Sequence, residues 1–244
     1  MRILFPVHAE TFLYREQENM IYITGDTHIP TDIHKLSSKS FPEQKQLTKD
    51  DFVIICGDFG GVWDGSREEQ YWLKWLKSKS FTTLFADGNH ENFDMLSQLP
   101  QTEFCGGCVH RVSDGIYHLM CGEIYTIDSK RIFTFGGAES HDRKSRTEHK
   151  NWWNDELPDE KEILHANKRL EQAGWNVDYV ITHCAPASIQ QKIAPSYAEN
   201  ELTAFLETVK SRLTYQRWYF GHYHLDREFD RLHTCVFQKV IPLI

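Results

Sequence analysis

From residue 20 onward the chain alternates short apolar runs with amphipathic stretches. The apolar runs, rich in β-branched and aromatic residues, predict strands over 20–24, 51–56, 82–85, 115–120, 123–128, 131–135, 177–182, 217–220 and 233–240. Helices are expected over 67–79, where Tyr71, Trp72, Trp75 and Leu76 recur at helical spacing, and over 158–173 and 200–213. Strand, helix, strand in the first half implies parallel pairing, and the three closely spaced strands between 115 and 135 imply antiparallel meanders. An α/β fold of two packed mixed sheets flanked by helices accommodates both.

The polar residues that follow the runs are more telling. Ile21-Tyr22-Ile23-Thr24-Gly25 leads into Asp26-Thr27-His28, and Phe52-Val53-Ile54-Ile55-Cys56-Gly57 into Asp58. Thr83-Leu84-Phe85-Ala86-Asp87-Gly88 leads into Asn89-His90-Glu91, Tyr179-Val180-Ile181-Thr182 into His183, and Trp218-Tyr219-Phe220-Gly221 into His222-Tyr223-His224. Ligands of open α/β sheets bind beyond the carboxyl ends of the strands, so these five segments are expected to form one site. In extended chain, residues i and i+2 project to the same side. Asp26 with His28, and His222 with His224, are thus placed to chelate together, with Thr27 and Tyr223 pointing away.

Imidazoles, two carboxylates and an amide suit Mn²⁺, Fe or Zn²⁺ better than Ca²⁺ or a thiolate-held cluster. The set exceeds the needs of one ion, whereas two ions about 3.5–4 Å apart sharing a carboxylate would use it fully. Asp58, alone between segments, is the natural bridge. Two carboxylates against two divalent cations leave a net positive charge that attracts phosphate and holds a bridging water as hydroxide near neutral pH.

Composition narrows the partners. The 244 residues are 40% hydrophobic and 25% charged, enough for a globular core, and the net charge of −8 argues against nucleic acid held by a broad basic surface. No apolar run approaches the ~20 residues of a membrane span. The first nine residues are a short, Pro-interrupted apolar stretch soon followed by Glu10 and Arg15, unlike a secretion signal. Six scattered cysteines fit a reducing compartment, so the cytoplasm is expected. Residues 1–19 are expected to be an N-terminal extension, an extra strand or an appendage, before one domain over 20–244.

At the five blocks the sequence resembles the calcineurin-like metallophosphoesterase superfamily, whose signature reads Asp-x-His, Gly-Asp, Gly-Asn-His followed by Asp or Glu, His, and Gly-His-x-His. All five occur in order over about residues 20–240, and the chain is similar to the compact single-domain bacterial or phage type. The resemblance implies a four-layer α-β-β-α sandwich. It also implies two divalent metals, Mn²⁺ foremost with Fe or Zn²⁺ also suited. Asp26, His28, Asp58 and His224 would hold one, and Asp58, Asn89, His183 and His222 the other.

It further implies hydrolysis of a phosphomonoester or phosphodiester by in-line attack of a metal-bridging hydroxide, His90 serving the leaving oxygen and Glu91 orienting His90. The substrate would be a small phosphorylated molecule, a nucleotide or a phosphoprotein. One block departs: Asp58 is followed by Phe59-Gly60-Gly61-Val62-Trp63, where the family has Asp or Asn with Arg. Arg143 or Arg146, in the loop after the strand at 131–135, is the candidate replacement for gripping the phosphate. The competing class is a non-catalytic metal-binding scaffold that uses the fold for protein interaction.

Other features read as structural. His8, His34, His110, His118, His149, His165 and His233 receive no role, Cys105-Gly106-Gly107-Cys108 reads as a turn, and Trp152-Trp153 as core or lid packing.

Overall fold

The structure, a computed structural model, describes residues 19–244, so most of the expected extension at 1–19 lies outside the described residues. The strands are β1 (Ile21–Thr24), β2 (Phe52–Ile55), β3 (Thr82–Phe85), β4 (Gln101–Phe104), β5 (Gly107–Ser113), β6 (Ile116–Leu119), β7 (Ile124–Ile127), β8 (Lys130–Phe135), β9 (Tyr179–Thr182), β10 (Arg217–Phe220), β11 (Arg227–Glu228), β12 (His233–Cys235) and β13 (Ile241–Pro242). The helices are α1 (Arg67–Lys77), α2 (Phe93–Leu96), α3 (Glu160–Gln172), α4 (Ala187–Ile193) and α5 (Glu201–Arg212).

Seven strands form one sheet in the order β13-β1-β2-β3-β6-β5-β4, and six form a second in the order β11-β12-β10-β9-β8-β7. The α/β class and the two mixed sheets agree with the sequence. Successive strand residues face opposite ways, and in β1, β2, β3 and β9 both ways are buried, which is why these strands read as largely apolar runs. Ile21, Ile23, Phe52 and Ile54 meet Tyr179, Ile181 and Tyr219 between the sheets. Tyr22, Val53 and Ile55 pack outward with Leu76 of α1. On the other side Val180, Trp218 and Phe220 pack against Ala166 and Leu170 of α3 and Leu202 and Leu206 of α5. Each such side chain contributes about 1.5–3 kcal/mol by leaving water.

Local chemistry sets the helix starts. Ser66 caps α1 by accepting from the Glu69 N–H, while Asp159 with Glu162 and Asn200 with Thr203 form reciprocal boxes at α3 and α5.

Two expectations are corrected. The strands at 115–135 do not form one meander: β6 pairs with β3 and β5 in the first sheet, whereas β7 pairs with β8 in the second. The turn between β6 and β7 carries the chain from sheet to sheet, with Gly122 at φ +78° packed against Ala166 so closely that a Cβ would lie 2.9 Å away. Of the run at 233–240 only its start forms a strand, β12 in the second sheet, and the chain then crosses to the first sheet, where β13 follows the run. The hairpin β4–β5 turns at Cys105 and Gly106, both at positive φ, and the thiols of Cys105 and Cys108 are free.

The arrangement of parallel strands positions the site. Thr24, Ile55 and Phe85 end β1, β2 and β3 in register, and Thr182 and Phe220 end β9 and β10 in register. Five carboxyl ends therefore open on one edge. No helix among the described residues is long and apolar enough to cross a membrane.

Candidate metal centre

The loops beyond these strand ends are joined by backbone bonds. The His28 and Ile29 amides donate to the carbonyls of Asp58 and Phe59 at 2.8 and 3.1 Å, and Gly221 donates to the His183 carbonyl at 3.0 Å. Asp26, Asp58, Asn89 and His183 are buried, and His28 and His222 partly so, while His224 lies at the solvent mouth.

Asp58 occupies the middle. Its Oδ2 lies 3.1 Å from His28 Nε2, and its Oδ1 accepts from the His90 amide at 2.8 Å and lies 3.3 Å from His183 Nε2. His183 Nε2 is also 3.4 Å from Asn89 Oδ1, and its Nδ1 bonds the Cys56 carbonyl at 2.7 Å. That second bond fixes the ring and leaves Nε2 facing the centre, as metal-ligating imidazoles are commonly held. Asp26 Oδ1 accepts from the His222 amide at 3.0 Å, and the rings of His183 and His222 lie 5.0 Å apart. The structure thus brings together all seven residues that the sequence singles out as ligands. Ligand atoms of Asp26, Asp58 and His224 lie within 4.8 Å of one another, as do those of His28, Asp58 and His90.

The i, i+2 pairs converge by a different device from the one expected. His28, His222 and His224 are not in extended chain but in the left-handed region, at φ 33°, 65° and 51°, as is Asp58 at 48°. Such backbone costs roughly 1–3 kcal/mol per residue and gathers at functional sites. Thr27 and Tyr223 do point away: Thr27 Oγ1 donates to the Phe59 carbonyl, and the Tyr223 hydroxyl bonds Gln190 Oε1. Gly57, at φ +85°, lies against the His183 ring with a Cβ position only 2.1 Å from Nδ1, so no side chain fits there.

The electrostatics suit a cation. Burial opposes charge on His183, but Asp58 and Asp26 overcome it and hold its pKa up to about 10. Burial likewise opposes charge on Asp58, and His183 and His28 hold its carboxyl well below the usual range. Asp26 is pushed up to about 7, chiefly by burial, and its Oδ2 is buried with no hydrogen-bond partner. A proton on His183 between two carboxylates, and a carboxylate oxygen facing inward unpaired, are what a cation would replace. The donor set of imidazole, carboxylate and amide oxygen therefore fits a divalent metal.

Glu91 differs from expectation. No hydrogen bond joins it to the His90 ring; its oxygens accept from the amides of Phe59 at 2.6 Å and Gly60 at 3.3 Å. Burial and the Asp58 charge raise its pKa well above the ordinary value, and its carboxyl anchors the loop after Asp58. That loop has no cation. Phe59 is instead buried and stacked on Phe85, with ring centroids 4.1 Å apart.

The two candidate arginines diverge. Arg143 is largely exposed, with its guanidinium 5.7 Å from the Trp152 ring centroid. The Arg146 side chain is only 14% exposed, paired with Asp142 at 2.7 Å, and its charge acts on His90. Trp153 is buried and donates to Asp94 at 2.8 Å, as packing predicts.

Several supporting residues escape the sequence reading. Asp32, one helical turn after His28, bonds its Nδ1 at 2.9 Å, and buried Lys35 donates to the carbonyls of Gly25 and Asp26 at 2.8 and 2.9 Å. The His224 ring stacks on Phe237, and Asn89 Nδ2 donates to Ser140 Oγ at 3.2 Å. His141 lies 6.1 Å from the His222 ring.

Ser140 is held in turn by Glu156, whose Oε2 accepts its amide at 3.0 Å while Oε1 is buried without a partner. Burial raises the Glu156 carboxyl to about 7. A carboxyl raised on folding contributes fully below its unfolded pKa near ~4.3, and the contribution is lost as pH climbs through its folded value. Glu156→Gln, which keeps one acceptor, is therefore expected to raise Tm over wild type at pH 8 more than at pH 5, as thermal melts across that range would show.

A comparison with curated protein sequences gives no match. The sequence model of the calcineurin-like phosphoesterase family matches residues 20–226, which contain all five strand-end segments and every ligand candidate. With most of the 244-residue chain matched and the two-sheet fold and clustered ligand types in place, the chain belongs to the calcineurin-like phosphoesterase family of metal-dependent phosphoesterases.

Proposed function

We propose that this protein is a dinuclear phosphoesterase that hydrolyses a phosphomonoester or phosphodiester. The observation that carries the reading is Asp58, whose two oxygens face different imidazoles, Oδ2 toward His28 and Oδ1 toward His183. Asp26, His28 and His224 would complete one ion's ligands with Asp58, and Asn89, His183 and His222 the other's. Mn²⁺ is the ion we favour. When bound, the two cations supply charge neutralisation for the phosphate and lower the pKa of water.

The chain's own groups do the rest. His90 is held by its amide bond to Asp58, and its ring lies 5.2 Å from that of His28. Burial keeps its pKa below the ordinary histidine value, so at pH 7 it is a neutral imidazole able to donate a hydrogen bond to the leaving oxygen. Water adds to phosphorus, the P–O bond to the alcohol breaks, and the alcohol departs with a proton. Arg146, whose charge acts on His90, would bind a phosphate oxygen, the role left vacant after Asp58.

Elemental analysis with release of nitrophenol from mono- and bis-(p-nitrophenyl) phosphate in Mn²⁺ tests the reading. The expected result is two metals per chain and turnover lost to a chelator. Fewer than two metals with no turnover of either ester would overturn it and leave the non-catalytic scaffold. Arg146→Ala is expected to raise KM roughly tenfold with kcat within a few-fold, the effect of one charge-assisted bond; steady-state kinetics check this, with Arg143→Ala as the weak comparison.

A further inference from the structure

Beside the metal centre the same edge of the first sheet continues past β3 to β6, β5 and β4, where the chain leaves a cavity of about 630 Å³. Its apolar wall is made by Phe93, Leu96, Met120 and Leu157. Its polar wall begins at Asp87, which is 4% exposed.

A chain of hydrogen bonds ends on that carboxylate. Gln101 Nε2 lies 3.3 Å from His110 Nε2, the Nδ1 atoms of His110 and His118 are 3.0 Å apart, and His118 Nε2 is 2.9 Å from Asp87 Oδ1. One assignment satisfies every link. The Gln101 amide donates to His110, His110 donates from Nδ1 to His118, and His118 donates from Nε2 to Asp87, both rings being neutral. Burial, with the neighbouring His118, lowers His110 to about 4, in keeping with that state. The chain occupies Oδ1 alone. Among the described residues, the side-chain partner of the other oxygen of this buried carboxylate, Oδ2, is the Cys121 thiol at 3.9 Å.

Glu162 faces the same space from α3, and Asp155 stands on the connection before it. Glu162 uses Oε2 to cap its helix, accepting from the Asp159 amide at 3.1 Å. Burial first, and then the charges of Asp87, Asp159 and Asp155, raise its carboxyl to about 7. A third acid on the lining, Glu123, is already matched by Arg169 and His165, each at 3.1 Å, and Lys161 on the rim is exposed. Among the described residues, the groups of three metal-ligand atoms within 4.8 Å both fall at the metal centre and none falls here. The cavity thus lacks the three-ligand grouping found at the metal centre, and its apolar wall calls for an organic body.

We propose that this cavity is a second binding site, taking an organic ammonium compound with an apolar or aromatic body. The body packs on Phe93, Leu96, Met120 and Leu157, and the ammonium lies between the Asp87 and Glu162 carboxylates. A buried anion with an open acceptor is costly alone and favourable with a donor cation, which supplies both selectivity and affinity. The inference concerns binding and stands apart from the phosphoesterase reading.

Titration calorimetry on the metal-loaded protein tests it with tyramine and its neutral isostere 4-(2-hydroxyethyl)phenol. Tyramine is expected to bind at least roughly tenfold more tightly, the worth of one charge-assisted bond. Glu162→Gln keeps an acceptor for the helix cap and is expected to weaken tyramine at least several-fold while leaving the isostere unchanged. Asp155→Asn, at an exposed position, provides a second variant with the same expected direction should the first fail to fold. Equal affinity for the two probes, no binding of either, or tyramine binding unchanged in the folded variants would overturn the proposal.

Discussion

Asp58→Asn is expected to lower kcat/KM at least ~10³-fold and to drop metal content below two per chain, because it removes the one charge shared by both halves of the site. Asn is the discriminating replacement. It tolerates the left-handed backbone found at this position, φ 48°, and keeps an acceptor for the His90 amide. What it loses is the charge that overcomes burial at His183 and that faces His28 at 3.1 Å. Elemental analysis, steady-state kinetics and circular dichroism on one preparation separate the outcomes. A folded variant with both metals and undiminished turnover would remove Asp58 from the bridging role.

His90→Ala is expected to cut kcat by ~10²–10³, the usual worth of a hydrogen-bond donor aimed at charge developing in the transition state, while metal content and KM stay within about twofold. The reason lies in how His90 is attached. Its backbone amide, not its ring, bonds Asp58 Oδ1, so truncation leaves that bond in place. The loss should shrink for esters with good leaving groups, since a nitrophenolate needs little help and an alkoxide needs much. Comparing nitrophenyl and alkyl phosphates measures this directly; an equal loss for both would point to a structural part for the ring.

Much of this was legible in the sequence for one physical reason. Strands buried on both faces, such as β1 with Ile21 and Ile23 inward and Tyr22 outward, must be largely apolar, so the polar residues within a few positions after each run mark the strand's end. That places Asp26, Asp58, Asn89, His183 and His222 without knowledge of packing. The hairpin β4–β5 gave no such signal, because Gln101, Thr102 and Glu103 are exposed. Asp32, Ser140 and Phe237 reach the site from loops and Lys35 from a single turn of 3-10 helix, and none carries a local pattern. Glu91 was visible but misassigned: adjacency in sequence suggested a partner for His90, whereas its carboxyl turns to the amides of Phe59 and Gly60. His110 and His118 looked like ordinary interior histidines, and only the tertiary fold lines them up on Asp87.

The left-handed backbone at His28, Asp58, His222 and His224 bears on what mutation could do here. A library randomised at these codons would be screened twice, once by the donor atom and once by the main chain. Valine, isoleucine and threonine would be the worst performers even in a folding assay blind to catalysis, whereas asparagine and glycine would survive that assay and fail only on metal. The gap between the two screens, codon by codon, would show how far the centre's shape is built into the polypeptide before any ion arrives.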